Sequence, residues 1–191
     1  MKAPLPPRLD DDVRDLDALA ESSLVEARLA DVDASGTKVA GLRLVDVVVD
    51  RGNLANLVAP EPSLTRVVFT GTRLTGAQWT RGRIIDAVFR DCRIDLATFA
   101  GTTFERVMFD GCLLAQADFG GALLRSVGFD HCDLTEADLS EVRIDGCELR
   151  ACTLDGIVGA ERLRGAAMLW ADVVGHAALL ANALGIRVLE D

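Results

Sequence analysis

The sequence predicts an all-β solenoid, a chain of very short strands wound into stacked coils. Three observations carry that prediction. Counting by fives from Leu24 to Leu154 meets 27 positions, and all but Ala34 and Ala59 are large and apolar. Two places before each runs a row of small residues, among them Ala77, Ala97, Ala117 and Ala137. Like residues recur every 20: Phe69, Phe89, Phe109 and Phe129 in one row, Trp79, Phe99, Phe119 and Leu139 in another. All seven Phe of the chain sit on the five-residue register.

A period of five suits neither a helix, which repeats at 3.6, nor a continuous strand, which repeats at 2. Two inward residues flanking one outward residue make a three-residue strand. The remaining two residues turn the chain by about a right angle. Four such turns close one coil in 20 residues, the spacing at which like stacks on like. Each coil then meets only its neighbours, so the array stands or falls as a unit.

The clearest units read "AQADF", "EADLS" and "DLATF". They resemble the pentapeptide-repeat family, whose unit is A-(D/N)-L-x-x, and the resemblance runs over about residues 22 to 158. It implies a right-handed quadrilateral β-helix with both rows of inward side chains filling the interior. It also implies dimerisation through the C-terminal end. Some members resemble B-form DNA in width and charge, bind type II topoisomerases, notably DNA gyrase, and confer quinolone resistance.

Taken in order, residues 1–21 form an N-terminal segment whose acidic stretch at 10–20 is expected to lay a short helix over the first coil. Its Asp10–Asp12 run reads as a solvated or capping feature. Residues 22–158 are the repeat array, with undersized centres at Ala34 and Ala59. Pro60 and Pro62 predict an interruption near 59–63, because proline brings no N–H to a ladder. The five-residue register is kept across the site, which is expected to be a bulge, a loop or an edge with a kink between its coils. Regular geometry is not expected over 22–62. Residues 159–191 close the other end, with one helix from an Asp172 cap to a Gly185 stop. Val173, Ala177, Leu180 and Leu184 share one face of that helix. The apolar remainder, Met168, Trp170, Val174, Leu179 and Ala181, is the expected dimer interface.

The cysteines Cys92, Cys112, Cys132 and Cys152 are 20 apart and occupy the small inward position, with Cys147 on an adjacent face. Stacked one per coil at ~4.8 Å, four sulfurs spread along a column and cannot converge on one zinc, whose Zn–S bonds are about 2.3 Å. They are expected to be reduced core residues acting as small hydrophobes. No cofactor and no metal site are expected. No nucleophile–base pair, phosphate-binding loop or dinucleotide fingerprint is present. His131 and His176 read as surface or interface residues. An enzyme is not expected.

The net charge of −10 argues against direct nucleic-acid binding. No apolar run is long enough to span a membrane, and the first residues lack the apolar core of a signal peptide, so the expected location is cytoplasmic. The charge is uneven. Residues 61–109 carry +2, and residues 110–155 carry −7. The acids of the second segment are Asp110, Asp118, Asp130, Asp133, Glu136, Asp138, Glu141, Asp145, Glu148 and Asp155. They form the expected partner-binding surface, interrupted by Arg125, Arg143 and Arg150. Two functions follow. One is a DNA-mimicking regulator of gyrase or a related topoisomerase. The other is a generic interaction scaffold that uses the outward Leu113 and Leu123.

Overall fold

The computed structural model describes residues 1–8 and 22–189. The helix expected over 10–20 lies outside them. Six strands of equal length follow one another: β1 (Ser23–Ala30), β2 (Arg43–Asp50), β3 (Ser63–Thr70), β4 (Arg83–Arg90), β5 (Thr103–Asp110) and β6 (Leu123–Asp130). Each pairs in parallel with the next at an offset of 20 residues. Two further rows of single bridges keep the same offset, from Asp33 to Thr153 and from Lys38 to Val158. The chain thus winds about 7 turns of a four-sided β-helix. The first two faces are the halves of one eight-residue strand, centred on Leu24 and Leu29 in β1. The third and fourth are separate short segments, centred on Ala34 and Val39. The strands exceed the expected three residues because the corner between the first two faces bends the chain without breaking the ladder.

Each unit is written a-b-c-d-e, with a small and c large, both pointing inward. In the coils from Leu64 to Phe119 every c residue is fully buried. The 20-residue offset brings like rings together at the coil spacing. Phe69 and Phe89 stack at 4.9 Å, Phe89 and Phe109 at 4.8 Å, and Phe109 and Phe129 at 5.0 Å between centroids. On the fourth face Trp79 meets Phe99 edge-on at 6.2 Å, and Phe99 stacks on Phe119 at 5.3 Å. Each buried centre contributes about 1.5–3 kcal/mol of hydrophobic stabilisation.

The turns need one left-handed residue per unit. All 27 e positions, from Glu26 to Gly156, have positive φ, and only nine of them are Gly. A non-glycine there costs roughly 1 kcal/mol, a cost the inter-coil hydrogen bonds offset. The corners on either side of the fourth face are closed by turn bonds, such as Ala77 N–H to Leu74 O at 2.9 Å and Ala122 N–H to Phe119 O at 2.8 Å. Outside the strands the inter-coil ladder is donated by b, c and e. At the two corners that flank the fourth face the N–H of a goes to its own turn, and that of d is left over. The b side chain takes it: Asp118 Oδ1 accepts from Gly120 N–H and Asp138 Oδ1 from Ser140 N–H, both at 2.7 Å. Asp133 does the same for Thr135 at 3.0 Å. This is the physical reason for Asp in "AQADF" and "EADLS".

The interruption expected at Pro60 and Pro62, and the irregularity expected over 22–62, do not occur. β1 and β2 keep full register, and the bridges Lys38–Val58–Gln78 pass straight across the site. Pro60 is a d residue and Pro62 an a residue, so neither removes a ladder donor. Val58, at b, has no acceptor to offer Pro60. The Pro62 ring fills space left by Gly82 in the next coil, where an added Cβ would lie 2.5 Å from Pro62 Cδ. The Pro62 carbonyl still accepts from Arg83 N–H at 2.7 Å.

All five cysteines are free and buried. Cys92, Cys112, Cys132 and Cys152 each place Sγ 3.3–3.5 Å from the carbonyl of the Phe 23 residues earlier, Phe69, Phe89, Phe109 and Phe129. Thr72 fills the same column and gives its hydroxyl to Val49 O in the same way. Burial pushes the Cys147 thiol up to about 12. The neighbouring Cys112 thiol, together with burial, also raises Cys92.

The register ends at Gly159, where the next large residue is due. Its φ is 77°, and an added Cβ would lie 2.8 Å from the Leu139 carbonyl carbon. The last coil is already split into β7 (Arg143–Asp145) and β8 (Glu148–Arg150), and a 3-10 turn at Ala160–Leu163 leads to β9 (Ala167–Met168) on β8. The single helix expected from Asp172 to Gly185 is two: α1 (Trp170–Gly175) and α2 (Ala177–Ala183). Leu169, not Asp172, precedes the first turn. The Asp172 carboxylate instead accepts Ala151 N–H at 2.8 Å, and His176, at the break, lies 2.9 Å from Cys152 O through Nε2. Both ties pull the helices onto the last coil.

Candidate functional site: an acidic side and an apolar end

The ten acids of residues 110–155 do not form a uniform belt. Asp118, Asp133, Glu136, Asp138, Glu141 and Asp155 fall on the third and fourth faces, which carry no Lys or Arg in these coils. The first two faces hold Asp110, Asp130, Asp145 and Glu148 together with Arg125, Arg143 and Arg150. There the charges cancel in pairs, Asp110 with Arg90 at 3.2 Å and Glu148 with Arg150 at 2.7 Å. Asp130 sits 2.8 Å from His131 Nδ1. Side by side, the third and fourth faces sum to −6 and the first two to −1.

Within the acidic side, two kinds of carboxylate alternate. Asp118, Asp133 and Asp138 are half-buried and tied to d-position N–H groups, and Asp118 also accepts from the Thr98 hydroxyl at 2.9 Å. Glu136, Glu141 and Asp155 are exposed. Leu113 is exposed on the same side, at 43%, and Leu123 is half-buried on the first face.

The corner between the first two faces holds a feature that sequence reasoning missed. Its e residues alternate in charge up the coils: Asp46, Arg66, Asp86, Arg106. Arg66 grips Asp46 through Nε and Nη2 at 2.6 and 2.5 Å, and Arg106 grips Asp86 at 2.7 and 2.9 Å. Asp46 and Asp86 are buried. The Arg66 guanidinium holds Asp46 below the ordinary carboxylate range against burial. Burial pushes Asp86 up, and Arg106 with a main-chain N–H from Leu5 more than reverses it. The 20-residue spacing of opposite charges is visible in the sequence, once the register is known.

The N-terminal residues lie along this corner. Leu5 N–H donates to Asp86 Oδ1 at 3.1 Å and Arg8 N–H to Asp46 Oδ1 at 2.8 Å. The Met1 amino group meets Glu148 at 2.5 Å. An added Cβ at Gly128 would lie 2.8 Å from the Met1 methyl.

At the C-terminal end, Met168, Leu179 and Ala181 are half-buried, the first two packed against the core. Trp170 and Val174 are exposed, at 80% and 57%, as are Leu184, Ile186 and Leu189 further along the chain. Val173, Leu180 and Leu184, expected on one helix face, line with Leu163 and Met168 an apolar cavity of about 450 Å³. Among the described residues no group of His, Cys, Asp or Glu is arranged to hold a metal ion, and no helix is long and apolar enough to cross a membrane.

Residues 62–139 match the family model of the pentapeptide repeat region. No curated protein matches the chain. Among solved structures, QnrB1, a plasmid-mediated fluoroquinolone resistance protein, aligns at 15% identity over 86% of this chain and 90% of its own, with a TM-score of 0.45. A pentapeptide repeat protein from the cyanobacterium Cyanothece 51142 aligns at 14% identity over 66% and 90%, TM-score 0.43. Another from the Arabidopsis thaliana thylakoid lumen aligns at 16% over 66% and 72%, TM-score 0.45.

Proposed function

We propose that this chain, which carries a pentapeptide repeat region over residues 62–139, works as a non-enzymatic binding module that meets a basic protein surface with its acidic side. The observation that carries the reading is the one-sided charge: six carboxylates and no Lys or Arg on the third and fourth faces of coils 113–158. Three coils rise ~14 Å at ~4.8 Å each. The same length of B-form DNA carries roughly 8 charges at one per ~1.7 Å. The acidic side thus approaches the charge density of the duplex, where the charge of the whole chain does not. That comparison supports a DNA-mimicking regulator of DNA gyrase or a related type II topoisomerase, bound without direct contact between this chain and nucleic acid. Two copies joined by Trp170, Val174 and the residues around the terminal helices would place two acidic sides end to end.

The test is a gyrase supercoiling assay with and without a fluoroquinolone, on the wild type and on Asp118→Asn/Asp133→Asn/Asp138→Asn. Asn keeps the side-chain acceptor for the d-position N–H and deletes the charge. An effect on supercoiling that weakens with salt and is lost in the triple variant supports the reading. No effect at low salt overturns it. Exposure of Leu113 favours a second reading, an interaction scaffold whose partner contact is apolar and indifferent to salt. Sedimentation of the wild type against Trp170→Ser tests the dimer.

A further inference from the structure

The N-terminal segment reads Met-Lys-Ala-Pro-Leu-Pro-Pro-Arg. Pro4, Pro6 and Pro7 fix φ near −65°, and each proline pushes the residue before it into extended backbone. Such a segment favours the polyproline II helix, with three residues per turn and a rise of ~3.1 Å per residue. Leu5 and Arg8 therefore lie one turn apart and present their N–H groups to the same side, ~9 Å apart. Their acceptors, Asp86 and Asp46, are 40 residues apart on one column, which is two coils, or ~9.6 Å. The peptide repeat and the coil repeat match.

The chemistry of the column fits the same arrangement. Asp occupies alternate coils, and the Arg one coil further along fixes each carboxylate while its Oδ1 still accepts a second donor from the peptide. Asp86 Oδ1 takes both Arg106 Nε and Leu5 N–H, and Asp46 Oδ1 both Arg66 Nε and Arg8 N–H. The neighbouring outward b residues are Val48, Val68, Val88 and Met108, all half-buried, and then Gly128, which leaves room for the Met1 thioether.

We infer that this corner is a built docking track for an extended, proline-rich segment, one peptide turn per two coils, and that its occupant is the chain's own residues 1–8. The track reads main-chain N–H groups three residues apart. Its sequence demand is therefore proline where no donor is needed and any other residue where one is. The occupant spans from the coil of Asp46 to that of Glu148, joining coils that the repeat itself never brings into contact.

The test compares two single prolines in the full chain. Leu5→Pro deletes the N–H bonded to Asp86 and preserves the extended backbone. Ala3→Pro preserves both bonded N–H groups. Amide exchange followed by NMR is expected to show Leu5 and Arg8 protected in the wild type. Leu5→Pro is expected to speed exchange at Arg8 by about tenfold or more, a loss of about 1.4 kcal/mol, and Ala3→Pro to leave it within about twofold. Circular dichroism checks that both variants keep the solenoid. Exchange of Leu5 and Arg8 at free-peptide rates in the wild type overturns the inference, as does an equal response to the two prolines.

Discussion

The two sides of this solenoid share one repeat and use it differently. On the first and second faces the ladder runs unbroken round a corner, opposite charges stack directly one coil apart, and the N-terminal segment covers the edge. On the third and fourth faces of coils 113–158 the chain closes tight turns, Asp118, Asp133 and Asp138 bind main-chain N–H groups, and the charge is left uncompensated. Asp46 and Asp86 on the first side are each consumed by a guanidinium. Those three aspartates on the second side are each held in place by a neutral donor and keep their charge facing solvent. The same residue type at the same 20-residue period thus stabilises the fold on one side and charges the surface on the other.

The largest perturbation erases both sides together. Phe109→Asp puts an unpaired carboxylate among stacked rings, and a loss above about 5 kcal/mol is expected, read as collapse of the thermal transition. Next, Asp86→Ala removes the buried partner of Arg106 and leaves it paired with Glu105 alone. A loss of about 3 kcal/mol is expected, measured by urea unfolding. A smaller figure makes the first side less dependent on its charge column than its geometry implies. The same column sets an acid response. Asp46 and Asp86 have native values below the unfolded 3.8. Their stabilisation is full above about pH 4 and is lost as pH falls below it, so the wild type is expected to soften there more than Asp86→Ala.

On the other side the effects shrink and split by chemistry. Asp138→Ala strands the Ser140 N–H and is expected to cost about 1 kcal/mol, while Asp138→Asn leaves the unfolding midpoint nearly unchanged. If Asn costs as much as Ala, charge and not the acceptor holds that turn. Glu141→Gln, whose exposed side chain accepts no turn N–H, is expected to shift stability by less than about 0.5 kcal/mol, and its value lies in the binding assay alone.

The five-residue period made the inward rows readable before any coordinates, because burial has only two outcomes and the spacing sorts them. The Cys92–Cys152 series measured the coil for the same reason. Pro60 and Pro62 were misjudged, since a rule about missing donors says nothing until one knows which N–H groups the ladder uses. The one-sidedness of the acids was present in the sequence but became visible only when residues 110–155 were sorted by face instead of by halves of the chain. The break at His176 and the lie of residues 1–8 have no periodic signature. The first depends on one contact with a distant carbonyl, the second on three distant carboxylates.

The two amide positions that the ladder leaves unused have a consequence for variation in this chain. Proline is the substitution most often fatal to a sheet, yet outside the strands two codons in every five accept it provided that a neighbouring residue yields space or withholds an acceptor. A proline scan of the third and fourth faces would return a rhythmic pattern of tolerance and loss, a map of those turns obtained from survival alone.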